Sequence, residues 1–494
     1  MPPVQPPGSS APAPSIELWS LREETLLEEL PEGSALVLHS RWGDLRIPRP
    51  GTVLTETLRR MLLGPVQLDN VPGVDELAAR LRLLQALRQL AGLVVRSVGA
   101  PDGERPLLSV VPTVTGARLD PVPVPAGRMM RLSRFAQLRS NGHDMVLESP
   151  LSQFRAVFAR PEAGWLISML SRPVTLERAA ARTPLAAPVV GALVSHLVAT
   201  GMVEVAEQPT APHDAVFPED HDPALLPWSA DDLRFHWSSR PGGRDGDFGA
   251  TYPLRGRQEE PPRLKRPPDG PRIKLPGPGP GIPDWDTSLT EVLERRRSVR
   301  DHGSADLTLH QLGEILHRSL RVREPAGPGA AAAPHEPQRR PYPSGGARYE
   351  LECYLTVGRC AGLEPGAYYY DPLDHALIRL PDRAQLATAL LDEAQAGAGM
   401  SARPALLLTL TARFARVSWK YSGLAYALTL KHVGVVQQTL YLLATGMGLA
   451  PCALGTGTTQ LSAEAFGLDW REESAVGEFV LGTLPEEREV SSRD

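Results

Sequence analysis

Cysteine is scarce in this chain of 494 residues: Cys353, Cys360 and Cys452 are odd in number, far apart, and form no CxxC pair. That excludes a disulfide framework and a thiolate zinc centre, leaves no metal site to expect, and favours a reducing, cytoplasmic setting. Walker, HExxH and GxSxG motifs are missing, which removes the commonest nucleotide-hydrolysing, zinc-protease and serine-hydrolase readings. There is no basic excess either. With a net charge of -5 and a pI of about 6.2, no global field draws in nucleic acid. The opening MPPVQPPGSSAPAPS lacks the basic start and apolar core of a signal peptide, so residues 1–15 read as a disordered tail. The most apolar stretch, Ser418 to Gly457, holds Lys431, His432, Gln437 and Gln438 in its middle, where a bilayer would penalise them. No membrane span is expected.

Proline is what the chain has in excess, with 50 residues, about twice the usual frequency. Long linkers between compact pieces are therefore expected, and the length itself predicts roughly three domains. Residues 16–122 read as a winged-helix-like α/β unit. In it Ala35 to His39 pairs with Asp44 to Ile47 across a turn at Gly43, and Leu77, Leu81, Leu84, Leu87 and Leu90 line one helical face. Residues 128–207 read as a second winged-helix-like unit: three short strands, three helices and a closing strand at Met202 to Val205, with Thr175 capping the middle helix. Its would-be recognition helix, Ala187 to Thr200, has no Lys, Arg, Asn or Gln to read a base edge, so DNA is not the expected partner. A sheet edge there can instead capture an extended peptide by strand addition, beside the plainer role of a spacer or dimerisation module. Residues 208–285 turn rich in Pro, Gly, Asp and Arg. Trp228, Phe235, Trp237, Phe248 and Tyr252 predict an irregular segment pinned to a domain surface, followed by a stiff linker.

From Asp286 to the end, strands and helices interleave without a regular βα period, which predicts an α+β layer. Ser288-Leu289-Thr290-Glu291 and Thr308 to Gln311 are capping boxes. The stretch 418–457 reads as a helix with Tyr426, Leu430, Val433, Gln437, Leu440 and Ala444 at helical spacing, buried on most faces, so that a second subunit is needed to cover it. A homodimer is expected.

Four places could carry chemistry. Arg295 to Arg300 puts four arginines and Ser298 at a helix end, where guanidinium forks can hold a phosphate; the plain alternative is a solvated charged face. Ser344-Gly345-Gly346, after two prolines, brings bare backbone amides close to a flat or anionic ligand, or is only a turn. Leu454-Gly455-Thr456-Gly457 closes a helix and frees amides, without the third glycine of a dinucleotide fingerprint. Lys420-Tyr421 is the sharpest acid/base candidate, because an amine beside a phenol can exchange protons in a desolvated pocket; the alternative is two tips in water.

Together these pieces resemble a known family. Arg296-Arg297-Ser298-x-Arg300, the turn Pro343-Ser344-Gly345-Gly346, Lys420-Tyr421-Ser422-Gly423, GLAPCALGTG (448–457) and SAVGEFVLG (474–482) look like the SagB-type and cyanobactin oxidase branch of the FMN-dependent nitroreductase-like flavoproteins. SRFAQLRSNGHDMVLESPLS (133–152) is similar to the peptide-binding units fused to those oxidases. The resemblance implies a dimeric FMN domain over 286–494 with a central mixed sheet flanked by helices. It also implies an azoline dehydrogenase: a partner cyclodehydratase closes Cys, Ser or Thr of a precursor peptide into thiazolines or oxazolines, and this chain oxidises the rings to azoles. By the same resemblance Arg296, Arg297, Ser298 and Arg300 would hold the FMN phosphate and ribityl chain, Ser344 and Gly345 would approach the ring system from across the dimer, and Leu454 and Gly455 would lie near its reacting nitrogen. Tyr421, helped by Lys420, would be the base, with dioxygen the simplest terminal oxidant. Which arginine takes the phosphate, and whether sulfur or oxygen rings are preferred, stay open. The rival readings are a general NAD(P)H-dependent nitro or quinone reductase and a non-catalytic scaffold that binds precursor peptide.

Overall fold

A computed structural model describes residues 15–209, 211–242, 245–279, 283–323, 339–381 and 383–486. The tail expected over residues 1–15, all but Ser15, and the Ala/Pro/Gly-rich segment 324–338 lie outside them. The chain forms two compact units, Met1–Gly246 and Asp247–Asp494.

In the first unit an antiparallel six-stranded sheet runs in the order Ile16–Leu21, Val94–Gly99, Leu108–Pro112, Phe154–Phe158, Met145–Glu148, Gln137–Ser140. The regions 16–122 and 128–207, read as separate units, therefore share one sheet. Their core is also common: Val98, Leu108 and Val110 pack in one cluster with Phe154, Leu166, Leu193 and Leu197. The three short strands assigned to the second unit complete this large sheet. A different strand, Met129–Leu132, sits between Val174–Thr175 and Val203–Val205 in a small three-stranded sheet. The helices Pro161–Met169, Leu176–Ala180 and Ala187–Ala199 fall where their periodicity places them, and Thr175 caps the second by accepting from the Arg178 amide.

The hairpin Ala35–Ser40 with Gly43–Pro48 forms as expected. The helix Leu77–Gln89 buries only the C-terminal part of the expected face: Leu87 and the following Leu90 are buried together with Ala79 and Leu83, Leu84 packs against the same core, and Leu77 and Leu81 are 72% and 58% exposed. An arc holding five leucines is wider than the single side this helix packs. The aromatic-bearing segment after 207 is pinned as predicted. Phe217 is buried, and the buried Glu219 carboxyl accepts from Ser133 Oγ at 2.6 Å and the Arg134 amide at 2.8 Å.

The second unit is built on a seven-stranded sheet in the order Arg272–Lys274, Ala376–Arg379, Gly366–Asp371, Leu351–Val357, Leu406–Arg413, Glu473–Thr483, Leu449–Leu454. Every pairing in it is antiparallel, which corrects the expected mixed sheet. The parallel pair Leu307–Thr308 with Cys360–Ala361 stands apart from it. Period-2 alternation splits the apolar residues between two faces. Leu355, Tyr368, Leu408 and Leu481 pack with the helices Leu309–Leu320 and Ala425–Gly446, and Tyr354, Tyr369, Leu407 and Val480 pack with Ala384–Ala398 and Thr459–Phe466. The result is an α+β architecture, an antiparallel sheet packed between helices on both faces. The Pro-rich stretch before 286 is more than a linker, because Arg272–Lys274 is an edge strand of this sheet.

The long helix Ala425–Gly446 is shorter than the stretch that announced it. Gly448, at φ 64°, turns the chain into the edge strand Leu449–Leu454. Pro451 is tolerated there because an edge strand leaves one row of amides unpaired. Thr429, His432, Val433, Val436, Leu440 and Ala444 face inward, whereas Tyr426 and Leu430, placed in the buried face by their spacing, are 48% and 37% exposed. Ser288 caps the helix Leu289–Arg295 through the Glu291 amide, and Thr308 with Gln311 makes the full reciprocal box.

Candidate active site

The site residues named from the sequence fall into two groups, both against the long helix of the second unit. The first surrounds its C-terminal half. Past Arg295 the chain leaves the helix and runs beside the edge strand, where the Val299 amide donates to the Pro451 carbonyl at 2.8 Å. Ser298 Oγ lies 2.7 Å from Tyr441 OH, and that oxygen also accepts from the Ala453 amide at 2.7 Å. Arg296 stacks its guanidinium 5.2 Å from the Tyr441 ring centre. Arg295 is taken by Glu291, one helical turn back. Among the described residues no carboxylate pairs with Arg296, Arg297 or Arg300, so three cations stand uncompensated beside Ser298, a donor set suited to a phosphate.

Leu454 ends the edge strand and buries its side chain. The segment 454–457 thus closes a strand, not a helix, because the helix had already ended before Gly448. A Cβ built on Gly455 would meet nothing within 4 Å, so this backbone borders open space. Behind it a Cβ on Gly457 would collide with the Glu478 carboxyl. Burial pushes Glu478 up to about 7, with Glu393 adding to the effect. The folded chain therefore holds this proton more tightly than the unfolded one. The stability it confers is complete below about 4.5 and is lost as pH rises through about 7. Glu478→Gln should raise the melting temperature at pH 8 by about 2–4 °C and leave it nearly unchanged at pH 5, measured by thermal scans at both values.

The second group surrounds the N-terminal half of the helix. Arg348 Nε donates to the Arg416 carbonyl at 2.8 Å, and Arg416 Nε and Nη2 return bonds to the Arg348 carbonyl at 3.1 and 2.8 Å. This stitch lays the turn 343–348 against the short helix Phe414–Ser418 that leads into Lys420-Tyr421. Burial lowers Arg416 to about 10. Gly346 adopts φ 62°, and a Cβ there would lie 2.6 Å from both Lys420 Nζ and Tyr421 OH. The two tips therefore converge on one glycine. Among the described residues neither tip has a hydrogen-bonding partner, and both side chains are half-buried.

An irregular strap covers the motif from outside. Gly249 and Ser422 exchange backbone bonds at 3.1 and 2.9 Å, the Tyr252 amide donates to the Lys420 carbonyl at 3.0 Å, and Phe248 packs on Gly423. Lys420 Nζ lies 5.9 Å from the Tyr252 ring centre and 5.4 Å from that of Tyr421. Beside the motif opens a cleft of about 460 Å³ lined by Phe414, Val417, Tyr426 and Trp470 among others.

Ser344, Gly345, Lys420 and Tyr421 are thus brought together, as are Arg296, Ser298 and the strand leading to Leu454. One chain does not join the two groups. Their anchors on the long helix, His432 and Tyr441, are nine residues apart, about 13 Å along the axis. Sequence reasoning passed over Tyr441, Glu478, Glu350 and the ligating character of His432, which it noted only as a polar residue in an apolar run.

The second unit is thus an α+β layer with a phosphate-suited arginine cluster at the sheet edge and an amine–phenol pair over a glycine turn. Residues 293–483 match the nitroreductase family and residues 130–245 match the family described as cyanobactin oxidase ThcOx. MJ1384 of Methanocaldococcus jannaschii, which carries a provisional nitroreductase name, is 30% identical over 213 residues, spanning 42% of this chain and 96% of that protein. The chain belongs to the nitroreductase family. Among solved structures it is similar to the E. coli microcin synthetase McbBCD complex with truncated pro-MccB17 bound (22% identity, 42% of this chain and 77% of that one, TM-score 0.34). It is also similar to an FMN-dependent nitroreductase of Clostridium difficile R20291 (13% identity, 40% and 88%, TM-score 0.26). No helix among the described residues is long and apolar enough to cross a membrane.

Proposed function

We propose that this chain is an FMN-dependent azoline dehydrogenase that converts thiazolines or oxazolines of a ribosomally made peptide into azoles. The observation that carries the reading is the convergence of Lys420 Nζ and Tyr421 OH on Gly346, in a nitroreductase-family chain that also matches the cyanobactin oxidase model. FMN, when bound, accepts the hydride. Arg296, Arg297 and Arg300 with Ser298 would hold its phosphate, the open backbone at Leu454 and Gly455 would border its ring, and Ser344 and Gly345 of a second copy would approach that ring.

The chain's own part is a proton transfer. The ring C–H beside the peptide carbonyl is acidified by that carbonyl and by the adjacent C=N bond, so a modest base suffices. Tyr421, as its phenolate, takes the proton and becomes the neutral phenol, and the neighbouring Lys420 ammonium offsets the phenolate charge before the transfer. The strap lies over the motif and leaves both side chains half-buried. The reading includes a homodimer, supported by the separation of the two site groups and by the exposure of Tyr426 and Leu430 near the start of the long helix. The substrate rings come from a separate cyclodehydratase, and the 128–207 region is the proposed holder of the precursor peptide.

The test is a cyclised peptide incubated with the purified yellow protein in air. Each ring should lose about two daltons, the hydride and the proton together. A colourless protein that ignores added FMN, or an unchanged peptide mass, ends the proposal. The match to MJ1384 keeps one rival in view, a general NAD(P)H-dependent reductase. Rapid flavin bleaching by NADPH without peptide would favour it.

A further inference from the structure

The turn that carries Gly346 is held by a buried relay to which no function has been given. His432, on the inward face of the long helix, places Nε2 2.8 Å from the Gly345 amide, which donates to it. Its other nitrogen, Nδ1, lies 2.6 Å from Glu350 Oε1. The side chains are nearly sealed, at 7% and 0% exposure. A ring nitrogen that accepts a hydrogen bond carries no proton, and a neutral imidazole has one proton on the other nitrogen. The Gly345 amide can only donate, so it sets the tautomer: Nδ1–H points at Glu350, and Nε2 is bare. Glu350 is tied into the same turn, since its second oxygen lies 3.4 Å from Ser344 Oγ, which in turn accepts from the Tyr349 amide at 3.0 Å.

From this geometry we infer that His432 is a positioning residue: in its Nδ1–H form, held by Glu350, it anchors the Gly345 amide and so fixes Gly346 beneath Lys420 and Tyr421. The inference rests on the azoline-oxidising reading for what the pair does, but not for the relay itself. A packed histidine serving only as core filler would need neither a specific tautomer nor an acceptor at Nε2. An anchor needs both. Displacing a turn by a fraction of an ångström beneath two proton-transferring groups changes turnover more than substrate binding, because the reacting atoms, not the docking surface, move apart.

Two substitutions separate the bonds. In His432→Asn the side-chain amide can still donate towards Glu350 but no longer reaches Gly345; in His432→Gln the amide oxygen reaches the Nε2 position and accepts from Gly345 while the bond to Glu350 is lost. With the full chain and a synthetic azoline peptide, His432→Asn should lower kcat about 30-fold, with KM and FMN per chain within about twofold of wild type. His432→Gln should recover kcat to within about threefold of wild type. Equal losses in both variants, or wild-type turnover in His432→Asn, overturn the inference.

Nitrogen-15 NMR of histidine-labelled wild-type protein is the second arm and needs no activity or folded variant. The His432 signals should show a bare Nε2 and a protonated Nδ1. Protonated Nε2, or a doubly protonated ring, overturns the inference even where azoline oxidation is present. The expected tautomer in a protein that oxidises no azoline sinks the functional reading instead and leaves the relay standing.

Discussion

Tyr421→Phe and Lys420→Ala should each lower azole formation by about 10²- to 10⁴-fold, the range that one positioned proton-transfer group supplies, while the protein stays yellow. The Phe variant keeps the ring 5.4 Å from Lys420 Nζ and removes only the hydroxyl. Since no hydrogen-bonding partner among the described residues depends on that hydroxyl, the fold loses nothing by its removal. A change in activity is then a change in chemistry. Lys420 holds its amine between two aromatic rings, Tyr252 and Tyr421, with no carboxylate to neutralise it among the described residues. Its truncation leaves the phenolate that serves as base without the neighbouring cation that offsets its charge. Flavin content, read from the absorbance spectrum, should match wild type in both variants, because the arginine cluster sits at the other end of the long helix. Normal turnover in both variants would remove the pair from the mechanism.

Gly346→Ala should be nearly as damaging, for a steric reason. The new methyl would lie 2.6 Å from both Lys420 Nζ and Tyr421 OH, closer than any real contact. The residue would also have to hold φ 62°, which costs a side-chain-bearing residue about 1–2 kcal/mol. The long Lys420 side chain can swing away, whereas the Tyr421 ring is less free to do so. The expected outcome is a loss of turnover of about 10²-fold, with a melting temperature only a few degrees lower and FMN still bound. Wild-type activity in this variant would mean that the pair does not work over the turn.

The two groups of candidate residues were each readable as short motifs, since a run of arginines, a Pro-Ser-Gly-Gly turn and an amine–phenol pair suggest chemistry by residue type alone. Helices with a strong period, such as Leu309–Leu320 and Ala187–Ala199, were equally plain, as were the strands of the second unit's sheet centre. The edge strand Leu449–Leu454 was not. Its apolar run continues that of the long helix, and Gly446, Gly448 and Pro451 mark a break without specifying the element beyond it. Only pairing with Glu473–Thr483 makes it a strand. The same holds for Met129–Leu132 and Arg272–Lys274, whose local pattern is too short to be distinguished from loop.

Residue chemistry and local periodicity, then, were determined by the sequence alone: which side chains can bind a phosphate, which can move a proton, and where helices must bury a stripe. Tertiary structure decided which of them meet. Gly346 lies beneath Lys420 and Tyr421 because the Arg348 and Arg416 guanidinium groups each donate to the other's main-chain carbonyl across 68 residues, and His432 became a hydrogen-bond acceptor only when Gly345 and Glu350 closed on its two nitrogens. Such contacts join positions far apart in the chain, so no window of sequence contains them, and it is the packing of the sheet against the long helix that brings them within bonding distance.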